Sequence, residues 1–459
     1  MAYVKNQEQL LSHGDRNLRE MALGIIEHAL KKADPYVATK SLVSLEGEML
    51  CVGDLRFDLG KCGKIYLLGA GKATWPIAKA LEEILGSRIA DGVIVCKYGQ
   101  EGNLSHSRMF LADHPLPDES GLNASRAALD LARQTRAGDI VFGCITGGSS
   151  ALLPLPVEAV SLEEKRQVNA LLLTCGANIV EINAVRKHLS RIKGGRLAMA
   201  VHPEAHLINL TVSDVIGDPL DYITDPTVPD TSTLADARRT LSKYDLWEKV
   251  PDSVNRFLQQ AGEDCETPKA VDLVGRTRND FIIVKGAAAC EAAAHKAAAL
   301  GYESMILSTM FEGESRGLGR NFGAIASEIR LNSRPLNPPC ALIGGGETTV
   351  TIVGESGEGG PNQEFAASAA LGIDKMDHVV VVGLDSDGTD GPTGFAGAMV
   401  DGETASQARK ADINLFKCLH SHSISVPLVK LGDAIVTGAT GTNVNDLKFM
   451  LIAPDRKGV

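Results

Sequence analysis

At 459 residues the chain is longer than one hydrophobic core usually organises, so two domains are expected. Apolar residues make up 44%, glycine contributes 47 residues and aromatics only 4%, the profile of an Ala/Gly/Val-rich α/β enzyme and not of a fibrous or disordered chain. A net charge of −11 argues against a general nucleic-acid binder but not against small anions, which respond to local charge.

Residues 7–33 carry apolar positions at helical spacing and predict one long helix ending before Asp34-Pro35. Strand and helix patterns then alternate: strand 65–68, helix 75–85, strand 92–96, helix 120–135, strand 140–144, helix 161–175 and strand 205–212. Alternation of this kind predicts an N-terminal Rossmann-like parallel sheet with helices on both faces. Residues 219–280 are Pro-rich and polar and read as a long connection with some helix, which places a domain boundary near 265. Beyond it, 281–284, a helix at 286–300 and 305–307 predict a βαβ unit. Further patterns follow: strands 341–343 and 350–353, helix 362–371, strand 379–383, helix 404–411 and a last strand 434–436. The runs around 344–346 and 348–354 suggest a hairpin and therefore a mixed second sheet. The expected domains are 1–265 and 266–459.

Nine cysteines without a C-x-x-C pair read as free thiols of a reducing cytosol. The first residues are too polar for a signal peptide, and no run approaches the ~18 apolar residues of a membrane span. A soluble, cytoplasmic protein is expected, with neither membrane nor nucleic-acid partners; a homo-oligomer is left open.

The most informative segment is residues 65–80, a buried-strand run, then Gly69-Ala70-Gly71-Lys72, then an amphipathic helix start. Glycines let backbone approach a phosphate, the first free N–H groups of a helix point at it, and Lys72 adds positive charge. It is not a P-loop, and Thr74 stands where the dinucleotide fingerprint requires a third Gly or Ala. An ordinary strand-to-helix turn is the alternative reading. Thr146-Gly147-Gly148-Ser149-Ser150 and Gly345-Gly346-Glu347 again end apolar runs, and three such turns suggest a polyanionic ligand at the carboxyl edges of strands.

Residues 186–196 hold five Lys or Arg and no acid. Read as a helix closed by the glycines after Lys193, the segment places Lys187 and Arg191 on one face; a merely solvated basic face is the alternative. Asp214 follows a strand, where a carboxylate can bind Mg²⁺, accept a hydroxyl proton or cap a turn. Asp385, Asp387 and Asp390 form a third acidic group whose spacing fails the EF-hand pattern. His202 with His206 and His420 with His422 read as surface or loop histidines. There is no G-x-S-x-G or HExxH motif.

Together these motifs resemble the glycerate 2-kinase family, the two-domain type whose C-terminal part is called the MOFRL domain. The resemblance runs through His114-Pro115-Leu116-Pro117-Asp118, residues 183–198 and 213–219, Asn362-Gln363-Glu364, Asp387-Gly388-Thr389-Asp390-Gly391 and Thr440-Gly441-Thr442-Asn443. It implies ATP- and Mg²⁺-dependent phosphorylation of the 2-hydroxyl of glycerate, or of a related small hydroxy acid, in a cleft between the domains. On that reading Lys72, Asp214 and Lys193 are catalytic, and Gly69, Gly71, residues 146–150 and residues 345–347 hold the nucleotide. Lys187, Arg191, Asn362 and Glu364 bind substrate, while Asp214, Asp385, Asp387 and Asp390 bind metal or orient the hydroxyl. Two departures bear on the substrate: Pro361 stands where the family usually has Arg, and Asp225 lies where it usually has Gly. If both positions face the site, its charge falls by about two units, which disfavours an anionic substrate such as glycerate. The rival activity is an NAD(P)H-dependent hydroxypyruvate reductase, opposed by the missing dinucleotide fingerprint; a catalytically impaired nucleotide-binding protein is a further alternative.

Overall fold

The computed structural model describes residues 2–100 and 102–455. They fall into two compact units, one of Pro35–Ser213 with Asp218–Ile283 and the other of residues 2–34, 214–217 and 284–455. The packing therefore differs from a linear division at 265: the first 34 residues go with the C-terminal part.

The first unit is built on a six-stranded sheet ordered Arg108–Ala112, Ile89–Lys97, Ile65–Ala70, Ile140–Ile145, His206–Val212 and Thr277–Val284, and the first five strands pair in parallel. Every residue of Ile65–Ala70 and Ile140–Ile145 is buried, so both faces are covered and the runs are apolar throughout instead of alternating. Tyr66, Leu68, Val93, Val95, Val141 and Ile145 pack with Leu122 and Leu129 of the helix Glu119–Gln134. That helix starts where the Asp118 carboxylate accepts the Gly121 N–H at 2.8 Å. Capping boxes, Ser161 with Glu164 and Asn178 with Glu181, begin the helices Leu162–Thr174 and Ile179–His188. A three-stranded antiparallel sheet, Val43–Glu46, Met49–Val52 and Leu55–Asp58, was not visible as a pattern because its strands are four residues long.

The second unit holds a mixed sheet ordered Glu303–Phe311, Cys340–Gly346, Asp446–Ile452, Val379–Asp385, Gly397–Asp401 and Ala434–Ile435; the first pair is parallel and the rest antiparallel. Three expectations are corrected. The strand Thr277–Val284 lies in the first sheet and Glu303–Phe311 in the second, so the helix Ala288–Ala299 between them does not close a βαβ unit. No hairpin follows Gly346: residues 350–353 are coil, with Ile352 and Val353 exposed, and the mixed character comes from Asp446–Ile452 inserted between two strands. The helix expected over 7–33 is two, Gln7–Leu10 and Arg16–Lys32, broken at Gly14, whose φ is +65° and where a Cβ would lie 1.9 Å from an Asp401 oxygen.

That break lets Arg19 reach inward. Its guanidinium is fully buried, with Nε 2.6 Å from Asp401 Oδ2 and an Nη 2.8 Å from Asp433 Oδ1. Burial works against its charge, but Asp433 and Asp401 outweigh this and raise its pKa. Removing one member of such a buried set leaves charge uncompensated. Arg19→Met is expected to lower the stability of the unit by about 3–5 kcal/mol, read from urea unfolding; a loss under about 1 kcal/mol would show that the two carboxylates find other partners.

Candidate active site

In the first unit the carboxyl ends of the neighbouring strands Ile65–Ala70 and Ile140–Ile145 are in register, Ala70 opposite Ile145. Their following turns lock together. The Lys72 N–H donates to Gly147 O at 2.8 Å, and the Ala73 N–H donates to Thr146 Oγ1 at 3.1 Å. Gly71 has φ +142°, and a Cβ on it would lie 2.1 Å from Thr146 Oγ1. At Gly148, φ +86°, a Cβ would lie 3.2 Å from Lys72 Cγ and 3.3 Å from His114 Cδ2. The structure thus brings together Gly69, Gly71, Lys72, Thr146, Gly147, Gly148 and Ser149, and adds His114. Thr74 opens the helix Thr74–Leu85 with its hydroxyl on Cys144 O, which explains a hydroxyl where a third glycine was sought.

The basic segment is arranged otherwise than expected. Its helix ends at His188, and Lys187 and Arg191 do not share a face. Arg191 pairs on the surface with Glu158 at 3.2 Å. Lys187 is buried and paired with Asp221 and, at 3.1 Å, with Asp230. Burial lowers its affinity for a proton, but Asp225, Asp230 and Asp221 together raise its pKa. The glycines after Lys193 serve packing: the Gly194 and Gly195 N–H groups donate to Asp225 at 2.6 and 2.9 Å, and a Cβ on Gly195 would meet Val228 O at 2.8 Å. Lys193 itself is 1% exposed, and its Nζ has no hydrogen-bond partner; Asp225 Oδ2 stands 3.8 Å away. Burial lowers this ammonium to about 8, against the pull of Asp225.

Asp225 therefore does not add a free negative charge. It is buried, its carboxyl is raised by burial, and Lys193 and Lys187 oppose that rise. Of the two expected reductions in site charge, the one from Asp225 is thus offset by its lysine neighbours.

In the second unit the helix Pro361–Gly372 begins in a buried polar network. Asp390 is 1% exposed and accepts from Asn362 N and Nδ2 at 2.9 and 3.2 Å and from Gln363 N and Nε2 at 2.8 and 3.1 Å. Burial pushes its carboxyl up to about 6, still low enough to be ionised at neutral pH. With four donors on it, Asp390 caps the first turn of this helix. Asp446 and Lys448, which the sequence reading missed, complete the network. Asp446 accepts from Asn362 Nδ2 at 2.7 Å and from Thr348 N at 3.3 Å, and pairs with the fully buried Lys448. Glu364 is held by His422 Nδ1 at 2.8 Å, and burial raises its pKa. His422 lies, as expected, in a loop, the turn after the helix Leu415–His420, but its ring is buried against Glu364. Glu364 Oε2 and Asn362 Oδ1 are buried without hydrogen-bond partners.

Gly345 and Gly346 lie within the strand Cys340–Gly346, and packing accounts for them: a Cβ would meet Cys290 Sγ at 2.6 Å and Phe311 N at 2.3 Å respectively. Glu347 beside them is exposed. The acidic loop folds on itself, Asp385 Oδ1 accepting the Asp387 N–H at 2.9 Å and Asp387 Oδ1 accepting from Thr389 N and Oγ1 at 2.8 and 2.7 Å. Asp214 accepts from Asn443 Nδ2 at 2.7 Å. Among the described residues no group of three or more His, Cys, Asp or Glu side chains is placed to hold a metal, so the four acids do not form one closed shell.

Glycine turns at parallel strand ends, a turn lysine and a separate acidic loop on a two-part α/β scaffold fit a phosphotransferase-type enzyme. The sequence comparisons agree. Residues 21–259 match a domain of unknown function (DUF4147), and residues 340–446 match the MOFRL family. The chain is 42% identical to a glycerate 2-kinase of Pyrococcus horikoshii over 96% of this chain and 98% of that protein. It is 38% identical to a D-glycerate 2-kinase of Thermotoga maritima over 95% and 99%. A putative hydroxypyruvate reductase of Agrobacterium vitis is 34% identical over 98% of both chains. A crystal structure of the Thermotoga maritima glycerate kinase superposes with a TM-score of 0.81 at 38% identity, covering 95% of this chain and 100% of that one. The chain belongs to the glycerate 2-kinase family and is an enzyme of the kinase class.

The network around Asp390 separates a cap from a metal ligand. Asp390→Asn puts an amide against two pairs of donors and is expected to cost about 1.5–3 kcal/mol in thermal or urea unfolding while leaving the Mg²⁺ dependence of turnover unchanged. A shifted metal titration without loss of stability would restore the metal role.

Proposed function

We propose that this enzyme transfers the γ-phosphoryl group of ATP to the 2-hydroxyl of glycerate. The observation that carries the reading is the interlocked pair of strand-end turns, with Lys72 packed on left-handed Gly148, in a chain similar over nearly its whole length to proteins named glycerate 2-kinase. Phosphoryl transfer needs positioning and charge neutralisation more than covalent chemistry. In this reading the 69–73 and 146–150 turns hold phosphate oxygens with backbone N–H groups, and Lys72 meets the charge developing on the transferred group. Asp214, oriented by the Asn443 amide, accepts the hydroxyl proton. Lys193 supplies positive charge to the carboxylate of the substrate.

Mg²⁺ fits the hard oxygen donors of Asp385 and Asp387, which would hold it together with water and nucleotide oxygens. When bound it neutralises phosphate charge. Asn362 and Glu364 serve as substrate contacts whose orientation is set by Asp446 and His422.

Offered glycerate with ATP and, separately, hydroxypyruvate with NADH, the enzyme is expected to turn over only the first pair; NADH oxidation without phosphoryl transfer would establish the reductase instead. Lys72→Ala should lower kcat by about 10²–10³ in a protein of unchanged melting temperature. Near-normal turnover would remove Lys72 from the mechanism.

The lowered pKa of Lys193 gives a pH test with a definite sign. Its ammonium is charged below about 8, so kcat/KM for glycerate should fall as pH rises through that value. In Lys193→Met the value should be low throughout and this alkaline limb absent. An unchanged limb in the variant would assign it to another group.

A further inference from the structure

A cavity of about 630 Å³ lies in the second unit, lined by the helix Ser315–Asn332, the C-terminal half of Pro361–Gly372 and Leu415–His420. Its volume is that of a small-molecule site. None of the residues assigned to phosphoryl transfer lines it. From the first helix, Arg316 and Arg320, one turn apart, both face it. Arg320 is exposed and has no acidic partner among the described residues; Arg316 pairs loosely with Glu314, with Nε 3.9 Å from Oε2, and acts at longer range on Glu364. Two guanidinium groups on one helix face, of which Arg320 has no acidic partner among the described residues and Arg316 is only loosely paired with Glu314, make a local anion site in a chain of net charge −11.

The remaining lining mixes apolar Leu371, Phe416 and Leu419 with polar Ser368, His420 and Glu314. Phe416 is 67% exposed and Leu371 37%, and both line the cavity. Single exposed apolar residues need no explanation, but an aromatic ring beside two arginines provides stacking and cation–π contact for a planar group. A third feature restricts the ligand further. Glu314 Oε1 accepts the Thr351 N–H at 2.8 Å, whereas Glu314 Oε2 is buried without a hydrogen-bond partner. A buried acceptor of this kind lacks a donor.

We infer that this cavity binds a small aromatic anion: a planar ring against Phe416, a carboxylate or phosphate on Arg316 and Arg320, and an N–H or O–H group donating to Glu314. The inference is independent of which hydroxy acid is phosphorylated.

Calorimetric titration of the full chain, kept saturated with ADP so that a nucleotide site is occupied, tests it with 4-aminophenyl phosphate and 4-aminobenzoate as probes of the two anion types. One saturable site is expected for at least one probe. Affinity should be at least tenfold weaker in the Arg316→Gln/Arg320→Gln double variant and severalfold weaker in Phe416→Ala and with phenyl phosphate, which lacks the donor. The same variants should keep the basal phosphotransfer rate, which shows that they fold, and Lys72→Ala should bind the probe normally. Absence of saturable binding by both probes, binding unchanged in the arginine and Phe416 variants, or binding lost in Lys72→Ala would overturn it.

Discussion

At the carboxyl ends of two parallel strands the backbone of Gly71 passes so close to Thr146 that a side chain there would begin 2.1 Å from its hydroxyl oxygen. This approach ties one strand-end turn to the next: the Lys72 amide reaches Gly147 O, and Thr146 Oγ1 receives the Ala73 amide. Such an arrangement exists only where neighbouring strands are parallel and in register, as Ala70 and Ile145 are. The buried apolar strands, the capped helices and the order of the sheet all serve to hold these two turns together.

Buried charge is handled differently in the two units. In the second, most of the buried ions described are fully partnered, Arg19 by Asp401 and Asp433, Asp446 by Lys448 and Asp390 by four donors, while Glu364 keeps one oxygen without a partner. Removing any one partner is costly, so these groups fix geometry. In the first unit Lys193 is buried with Asp225 too distant for a hydrogen bond. Lys193 thus stands opposite Asp225 without a hydrogen bond, whereas Lys187 hydrogen-bonds to two carboxylates.

The regular parts of this fold were legible because a sheet buried on both faces writes itself as short, wholly apolar runs, and Ile65–Ala70 and Ile140–Ile145 are such runs. Asp446–Ile452 was not legible, since DLKFMLI carries an acid and a lysine at positions that look exposed and are buried only because they pair with each other. The placement of the first 34 residues was hidden for a related reason: Arg19 meets its partner 382 positions later, and nothing local signals it. In the site, glycines and Lys72 were found from spacing. The four donors on Asp390 were not, because Asn362 and Gln363 lie 28 and 27 positions away from it. Asp225 misled for the opposite reason, its charge being cancelled by lysines distant in sequence.

Phosphoryl transfer to the 2-hydroxyl of glycerate is the central step of the proposed reaction. ³¹P NMR of the product formed from ATP and D-glycerate reads this directly. A single resonance coupled to the proton on carbon 2, that of 2-phosphoglycerate, is the predicted result. A product phosphorylated on carbon 3, or unreacted glycerate while hydroxypyruvate is reduced by NADH, would contradict it.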